Sequence, residues 1–206
     1  PASLADDMLS KVSEKVPNWG AGLVGIEAFN PMVQKHLDMV KKYKIPFALF
    51  AGGIPSQVRD LEAAGTKTYL HTPSVPMMEN AVKSGCLRFI FEGGEAGGHV
   101  GFLSSMVLWE AAIETLVSRN QDLSRLSLVF AGGISTCFAS YFISGMTSFL
   151  AKKGACIGLQ VGTAYLFSKE IVDTQSMTKQ YQEILIDKDE TVVIGKSLGL
   201  ASRTAP

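Results

Sequence analysis

Apolar and polar positions alternate along this chain in two registers, and the switch between them sets out its elements. Leu4, Met8, Leu9, Val12 and Val16 recur at helical spacing, so residues 3–16 predict an amphipathic helix with Ser3 as its cap. Pro17-Asn18 ends it. From there short apolar runs take turns with helical patterns. Strands are predicted at 22–26, 47–51, 68–71, 88–92, 126–131 and 155–161. Helices are predicted at 31–43, 55–64, 75–84, 106–119 and 136–152. Asn30 and Pro31 mark one helix start, and Gly65, Gly85 and Gly154 mark three helix ends. A turn at 163–167 and a helix at 174–186 follow. The tail from Thr191 shows no clear element.

No strand alternates cleanly and most are continuous apolar runs, as in parallel sheets buried on both faces. Six strand–helix units fit either an open doubly wound sheet or part of a (β/α)8 barrel. A dinucleotide fold places its glycine turn after the first strand. Here the glycine turns follow the fourth, fifth and sixth strands, which favours the barrel and its phosphate site near the last strands. The expected fold is therefore an α/β barrel of the (β/α)8 type, truncated to about six units.

Composition narrows the picture. The 206 residues are 47% hydrophobic and 18% charged with zero formal net charge. One domain spanning 1–206 is the expectation, with no electrostatic case for a nucleic-acid or anionic-membrane partner. Residues 126–151 carry no charge, but Gly132-Gly133 interrupts them, so they read as strand, turn and helix rather than a membrane span. Three cysteines without metal-ligand spacing read as reduced, mostly buried thiols of a cytoplasmic protein, and no metal site is expected. The chain begins with Pro1 and has no signal-peptide pattern, which reads as a piece of a longer polypeptide.

The candidate chemistry lies in three loops. Phe91 to Gly101 holds five glycines and His99, directly after a buried strand. Such a histidine can move a proton near neutral pH. Glu92 and Glu95 precede it; carboxylates there orient ligands or cap backbone amides more often than they act as acid and base. Ala131-Gly132-Gly133-Ile134 and Gln160-Val161-Gly162-Thr163 follow the next two strands. Each leads toward a helix start, where backbone N–H groups attract phosphate. Two tight turns that need glycine for geometry alone are the alternative. The earlier Ala51-Gly52-Gly53-Ile54 reads as a plain turn, since Pro55 removes a donor. His36 reads as a solvated helix residue, and His71 as either a structural or a mouth-facing one.

Taken in order, Glu-Ala-Gly-Gly-His at 95–99, Ala-Gly-Gly-Ile at 131–134 and Gln-Val-Gly-Thr at 160–163 resemble the signatures of a known family. It is the family of nitronate monooxygenases (2-nitropropane dioxygenases) and flavin-dependent enoyl-acyl-carrier-protein reductases. The resemblance runs from about Gly22 to the end and implies an FMN-binding barrel. It implies that Gly132, Gly133, Gly162 and Thr163 hold the FMN phosphate and that Gln160 and Gly97 lie along the flavin. Glu92, Gly98 and Val161 complete the cofactor-binding set, and His99 matches the catalytic histidine. Glutamate at position 92 is the reductase choice, where nitronate monooxygenases usually carry glutamine. Residues 89–93 and 105–110 look most like versions embedded in polyketide synthases.

The resemblance thus implies an oxidoreductase that reduces enoyl thioesters with NADH or NADPH. Its substrate would be a small molecule or carrier-bound acyl group, and its partners other polyketide synthase domains. Nitronate oxidation with dioxygen is the alternative. The family has two strand–helix units before the one matching 22–26, where this sequence has a single helix. That departure motivates a third reading, a non-catalytic megasynthase interaction domain, and an unclosed sheet whose edges invite homo-oligomers.

Overall fold

A computed structural model describes residues 2–28, 30–119, 122–188, 190–198 and 201–205, with the side chains of 2–5 and 198 left out. Ser3 and Leu4, expected to cap and line the first helix, therefore lie outside the described side chains. The chain forms two compact units, Pro1–Thr72 with Pro76–Ile90, and Pro73–Val75 with Phe91–Pro206.

The first unit holds α1 (Ala2–Lys15), β1 (Gly20–Val24), α2 (Val33–Lys42), β2 (Phe47–Ala51), α3 (Pro55–Ala63), β3 (Lys67–His71), nearly all of α4 (Val75–Lys83) and the start of β4 (Arg88–Glu92). Its strands pair in parallel in the order β1-β2-β3-β4, with Gly20 opposite Phe47, Phe47 opposite Lys67 and Leu70 opposite Phe89. Phe50, Val58, Leu61, Met78 and Phe89 are wholly buried and form its core. Arg88 and Glu62 form a half-buried ion pair at 2.6 Å. The α2 start falls two residues later than the Asn30–Pro31 signal. Asn30 accepts from Met32 N at 3.2 Å while its Nδ2 donates to Val24 O at 2.8 Å, so it closes a turn ahead of the helix.

The second unit holds the end of β4, then β5 (Gly98–His99), α5 (Ser105–Ser118), β6 (Ser127–Ala131), α6 (Cys137–Lys152), β7 (Cys156–Gln160), α7 (Thr163–Leu166), α8 (Lys169–Asp173), α9 (Lys179–Asp187), β8 (Val192–Ile194) and β9 (Ser202–Thr204). Its parallel strands run β4-β6-β7, with Ser127 opposite Cys156 and Ala131 opposite Gln160. Phe130 anchors the core, 5.4 Å from Phe91 and 6.0 Å from Trp109 between ring centroids. The Trp109 indole N–H donates to Phe91 O at 3.2 Å, which satisfies its one polar atom inside the core.

β1 to β4, β6 and β7 are the six parallel strands that the apolar runs predicted, and α/β is the fold class. Gly65, Gly85 and Gly154 close their helices at φ values of 95°, 86° and 93°, a left-handed conformation that L side chains rarely adopt.

Three expectations are corrected. The tail from Thr191 is not featureless: β8 and β9 pair antiparallel, and β9 pairs with β5 in a second, three-stranded sheet. The helix expected at 174–186 starts only at Lys179, as α9, with Thr178 capping it through Tyr181 N at 3.2 Å, and the short α8 ends before it at Asp173. Of the cysteines, Cys86 is buried, but Cys137 and Cys156 stand exposed at the first positions of α6 and β7. No described helix is long and apolar enough to cross a membrane.

Candidate functional site

The second unit contains a cavity of about 460 Å³ at the C-terminal ends of β4, β6 and β7. That volume falls within the ~300–1,000 Å³ of small-molecule and cofactor sites. Parallel strands end there with their carbonyls directed outward, and the following loops supply the walls. Glu92, Gly97, Gly98, Gly132, Gly133, Gln160, Gly162 and Thr163 all line it. The three loops singled out in the sequence thus meet at one cavity. Val161 and His99 are not among its lining residues. Val161 is 42% exposed, and His99 is exposed in β5 opposite Ser202, one residue past the lining Gly98.

The glycines divide into two kinds. At Gly93 a Cβ would lie 2.2 Å from Ser105 Cα, and at Gly132 it would lie 2.5 Å from Ser105 Oγ. Those two positions are glycine because the start of α5 packs between the loops. At Gly97, Gly98 and Gly162 a Cβ would meet nothing within 4 Å. Their missing side chains leave open space rather than room for a neighbouring element. A cofactor could approach backbone there, and this is the observation on which the residues fit FMN. Gly133, with φ of 72°, is intermediate: its Cβ would touch Glu95 Cβ at 3.1 Å.

The loops differ in one respect from the sequence expectation. α6 begins at Cys137, four residues beyond Gly133, and α7 is a single short turn. The donors offered at Gly132–Gly133 and Gly162–Thr163 are therefore loop amides rather than the ends of long helices.

Glu95 has a structural partner. Its Oε2 accepts the Ser105 backbone N–H at 2.6 Å, and Ser104, at the N-cap position of α5, makes no side-chain cap bond. Partial burial pushes the Glu95 carboxyl up. The Ser105 hydrogen bonds and the Arg203 charge outweigh it and hold the group below its ordinary value.

The family model described as "Nitronate monooxygenase" matches residues 2–205. The chain belongs to the nitronate monooxygenase family. Members of this family are FMN-dependent oxidoreductases. A probable nitronate monooxygenase of Staphylococcus aureus (strain Newman) is 29% identical over 166 residues, 79% of this chain and 44% of the relative. The structure of FabK from Thermotoga maritima superposes with a TM-score of 0.73 at 23% identity, covering 98% of this chain and 58% of that one. A nitroalkane oxidase from Streptomyces ansochromogenes gives 0.67 at 17% identity, covering 98% and 66%. The chain shares their fold and spans about half the length of the curated relatives it matches.

Sequence reasoning about this nitronate monooxygenase family member missed the far wall of the cavity. Leu166, Tyr181, Leu185, Thr191, Arg203 and Thr204 form it, from α7, α9 and the tail. Tyr181 Oη and Thr204 Oγ1 are 3.2 Å apart, and Arg203 Nε donates to Gly94 O at 2.8 Å. A lone arginine in a short tail segment carries no motif, and only the β5-β9 pairing brings it to the glycine loop.

Proposed function

We propose that this chain is an FMN-dependent oxidoreductase domain that reduces enoyl thioesters with NADH or NADPH, on acyl-carrier-bound substrates in polyketide or fatty-acid synthesis. The supporting observation is the convergence of the three glycine loops on one cavity with open space at Gly97, Gly98 and Gly162. FMN, when bound, supplies the hydride chemistry that side chains lack. Gly132, Gly133, Gly162 and Thr163 hold its phosphate through loop amides and the Thr163 hydroxyl. Gln160 and Gly97 would lie along the flavin and Glu92 and Gly98 would complete the cofactor contacts, whereas Val161 stands outside the cavity. The Leu166–Tyr181–Leu185 wall gives the substrate an apolar surface.

His99 is the general acid of this reading. It stands exposed beside the cavity's Gly98, from where it would deliver a proton to the substrate atom that becomes basic. Glu92 lines the cavity and favours the reductase within the family. The polyketide setting is supported by the likeness of residues 89–93 and 105–110 to embedded versions of this domain.

Nitronate oxidation is the second reading, favoured by the family match and by the printed name of the Staphylococcus aureus relative. There His99 is a base at the α-carbon and dioxygen is the oxidant.

Anaerobic stopped flow on the FMN-loaded protein separates the readings. NADH, NADPH and a nitronate are offered separately, then an enoyl thioester. Bleaching by a nicotinamide followed by reoxidation with the enoyl thioester is expected. Bleaching by nitronate alone would replace the reductase with the second reading. A flavin-loaded protein inert to all of them would favour an interaction domain.

A further inference from the structure

We propose that Arg203 is a positioning residue of the cavity: it fixes the Gly94 carbonyl and so holds the 93–99 loop in its ligand-binding shape. The loop cannot hold that shape alone. Gly93, Gly94, Gly97 and Gly98 each lose more backbone freedom on ordering than other residues. External ties must offset that cost, and the tail provides part of them, beside the Gly93 N to Ala131 O, Gly94 N to Leu103 O and Ser105 N to Glu95 bonds.

Arg203 sits in β9 opposite Gly98. Its Nε donates to Gly94 O at 2.8 Å and its Nη1 donates to Thr191 Oγ1 at 2.7 Å. A guanidinium is a rigid planar fork, so bonds from these two nitrogens set its plane as well as its place. Gly94 N donates in turn to Leu103 O at 2.8 Å. Both backbone groups of Gly94 are thus engaged, one by the segment leading to α5 and one by Arg203. Val100 N donates to Ala201 O at 3.0 Å, so the loop is clasped on both sides of Gly97.

The tail is itself anchored to the third loop. Tyr181 of α9 meets Thr204, and Gln182 Nε2 donates to Leu166 O at 2.9 Å and to Ser168 O at 3.0 Å. A hydrogen-bonded path therefore runs from α7, behind Gly162–Thr163, through α9 and β9 to Gly94. Arg203 is the point where that path reaches the glycine loop. Among the described lining residues it is also the one basic side chain, beside Glu95.

Lysine could reach one acceptor but not reproduce the fork. The test is hydrogen exchange by mass spectrometry on the protein without flavin, for the parent, Arg203→Met, Arg203→Lys and Thr191→Val, followed by FMN titration of each. Arg203→Met is expected to speed exchange of peptides covering 93–100 and to weaken FMN binding, each by about tenfold or more, the loss of a hydrogen bond from a charged donor. Peptides from β6 and β7 should exchange as in the parent, with Arg203→Lys and Thr191→Val intermediate.

Parent-like exchange at 93–100 would overturn the proposal. So would faster exchange across β6 and β7, which marks a general loss of stability, or a loosened loop with undiminished FMN affinity. The functional part rests on the flavin reading. If the parent binds no FMN, that reading falls, while the exchange measurement still decides whether Arg203 holds the loop.

Discussion

The Glu95 carboxylate accepts the Ser105 backbone N–H at 2.6 Å and so caps α5 from the glycine loop that precedes it. The helix start lacks a side-chain cap of its own from Ser104. One acidic side chain therefore links the shape of the loop to the element packed behind it. Of the roles open to Glu95 in the sequence, amide capping is the one the geometry displays.

This cap predicts a pH dependence. The carboxyl is held below its ordinary value of 4.5, so the folded state prefers the ionised form. Its stabilisation is fully present above that ordinary value and is lost as pH falls through the lower, folded one. Glu95→Gln should melt below the parent at pH 7, and the gap should close under acid. Glu95→Ala should cost about 1 kcal/mol, the scale of a lost helix cap. Thermal melts from pH 7 down to about pH 3 check both.

The two kinds of glycine predict opposite outcomes for the same substitution. Gly162→Ala meets no atom within 4 Å and keeps a negative φ of −85°, so the fold should tolerate it. Its methyl should nonetheless stand in the proposed cofactor space and weaken FMN binding. Gly132→Ala, at φ 109° and 2.5 Å from Ser105 Oγ, should lower the melting temperature even without ligand. Melting curves paired with FMN titrations separate the two effects.

Phe130→Ala should cost about 3–5 kcal/mol, because the ring is wholly buried between Phe91 and Trp109. Both neighbours lie on elements that carry the glycine loop. Denaturant titration should show the loss, and FMN affinity should fall with it as β4 and α5 lose their shared contact.

His99→Ala should slow enoyl turnover by about 10²–10⁴-fold, the usual contribution of a positioned acid. Flavin reduction by a nicotinamide should change little, since the proton is needed only at the substrate. Rapid-mixing measurements of the two half-reactions test this, and equal turnover with and without the imidazole would remove His99 from the catalytic role.

The parallel strands were legible because their signal is local. Phe47–Ala51 and Arg88–Glu92 are apolar runs bounded by turn residues, and both strands fall where the pattern put them. The glycine loops were legible for the same reason. The tail was not. Val192–Ile194 and Ser202–Thr204 are three residues each; they pair with each other, and the other partner of Ser202–Thr204 is the two-residue β5 about a hundred positions away. Pairing of that kind depends on the assembled fold rather than on periodicity. Arg203 and Tyr181 escaped notice with it. His99 shows the converse: glycine neighbours marked it as conspicuous, but only the β5-β9 ladder shows it exposed beside the cavity rather than lining it.

The central claim is that the meeting loops bind FMN by its phosphate, and a paired titration of the purified protein with FMN and riboflavin tests it most directly. The two ligands share the ring and differ in the phosphate. Hydrogen bonds to a charged group contribute about 1.5–3 kcal/mol each. FMN should therefore bind at least about tenfold more tightly than riboflavin, and Thr163→Val should narrow that ratio. Equal affinity for the two ligands, or no binding of either, would contradict the account.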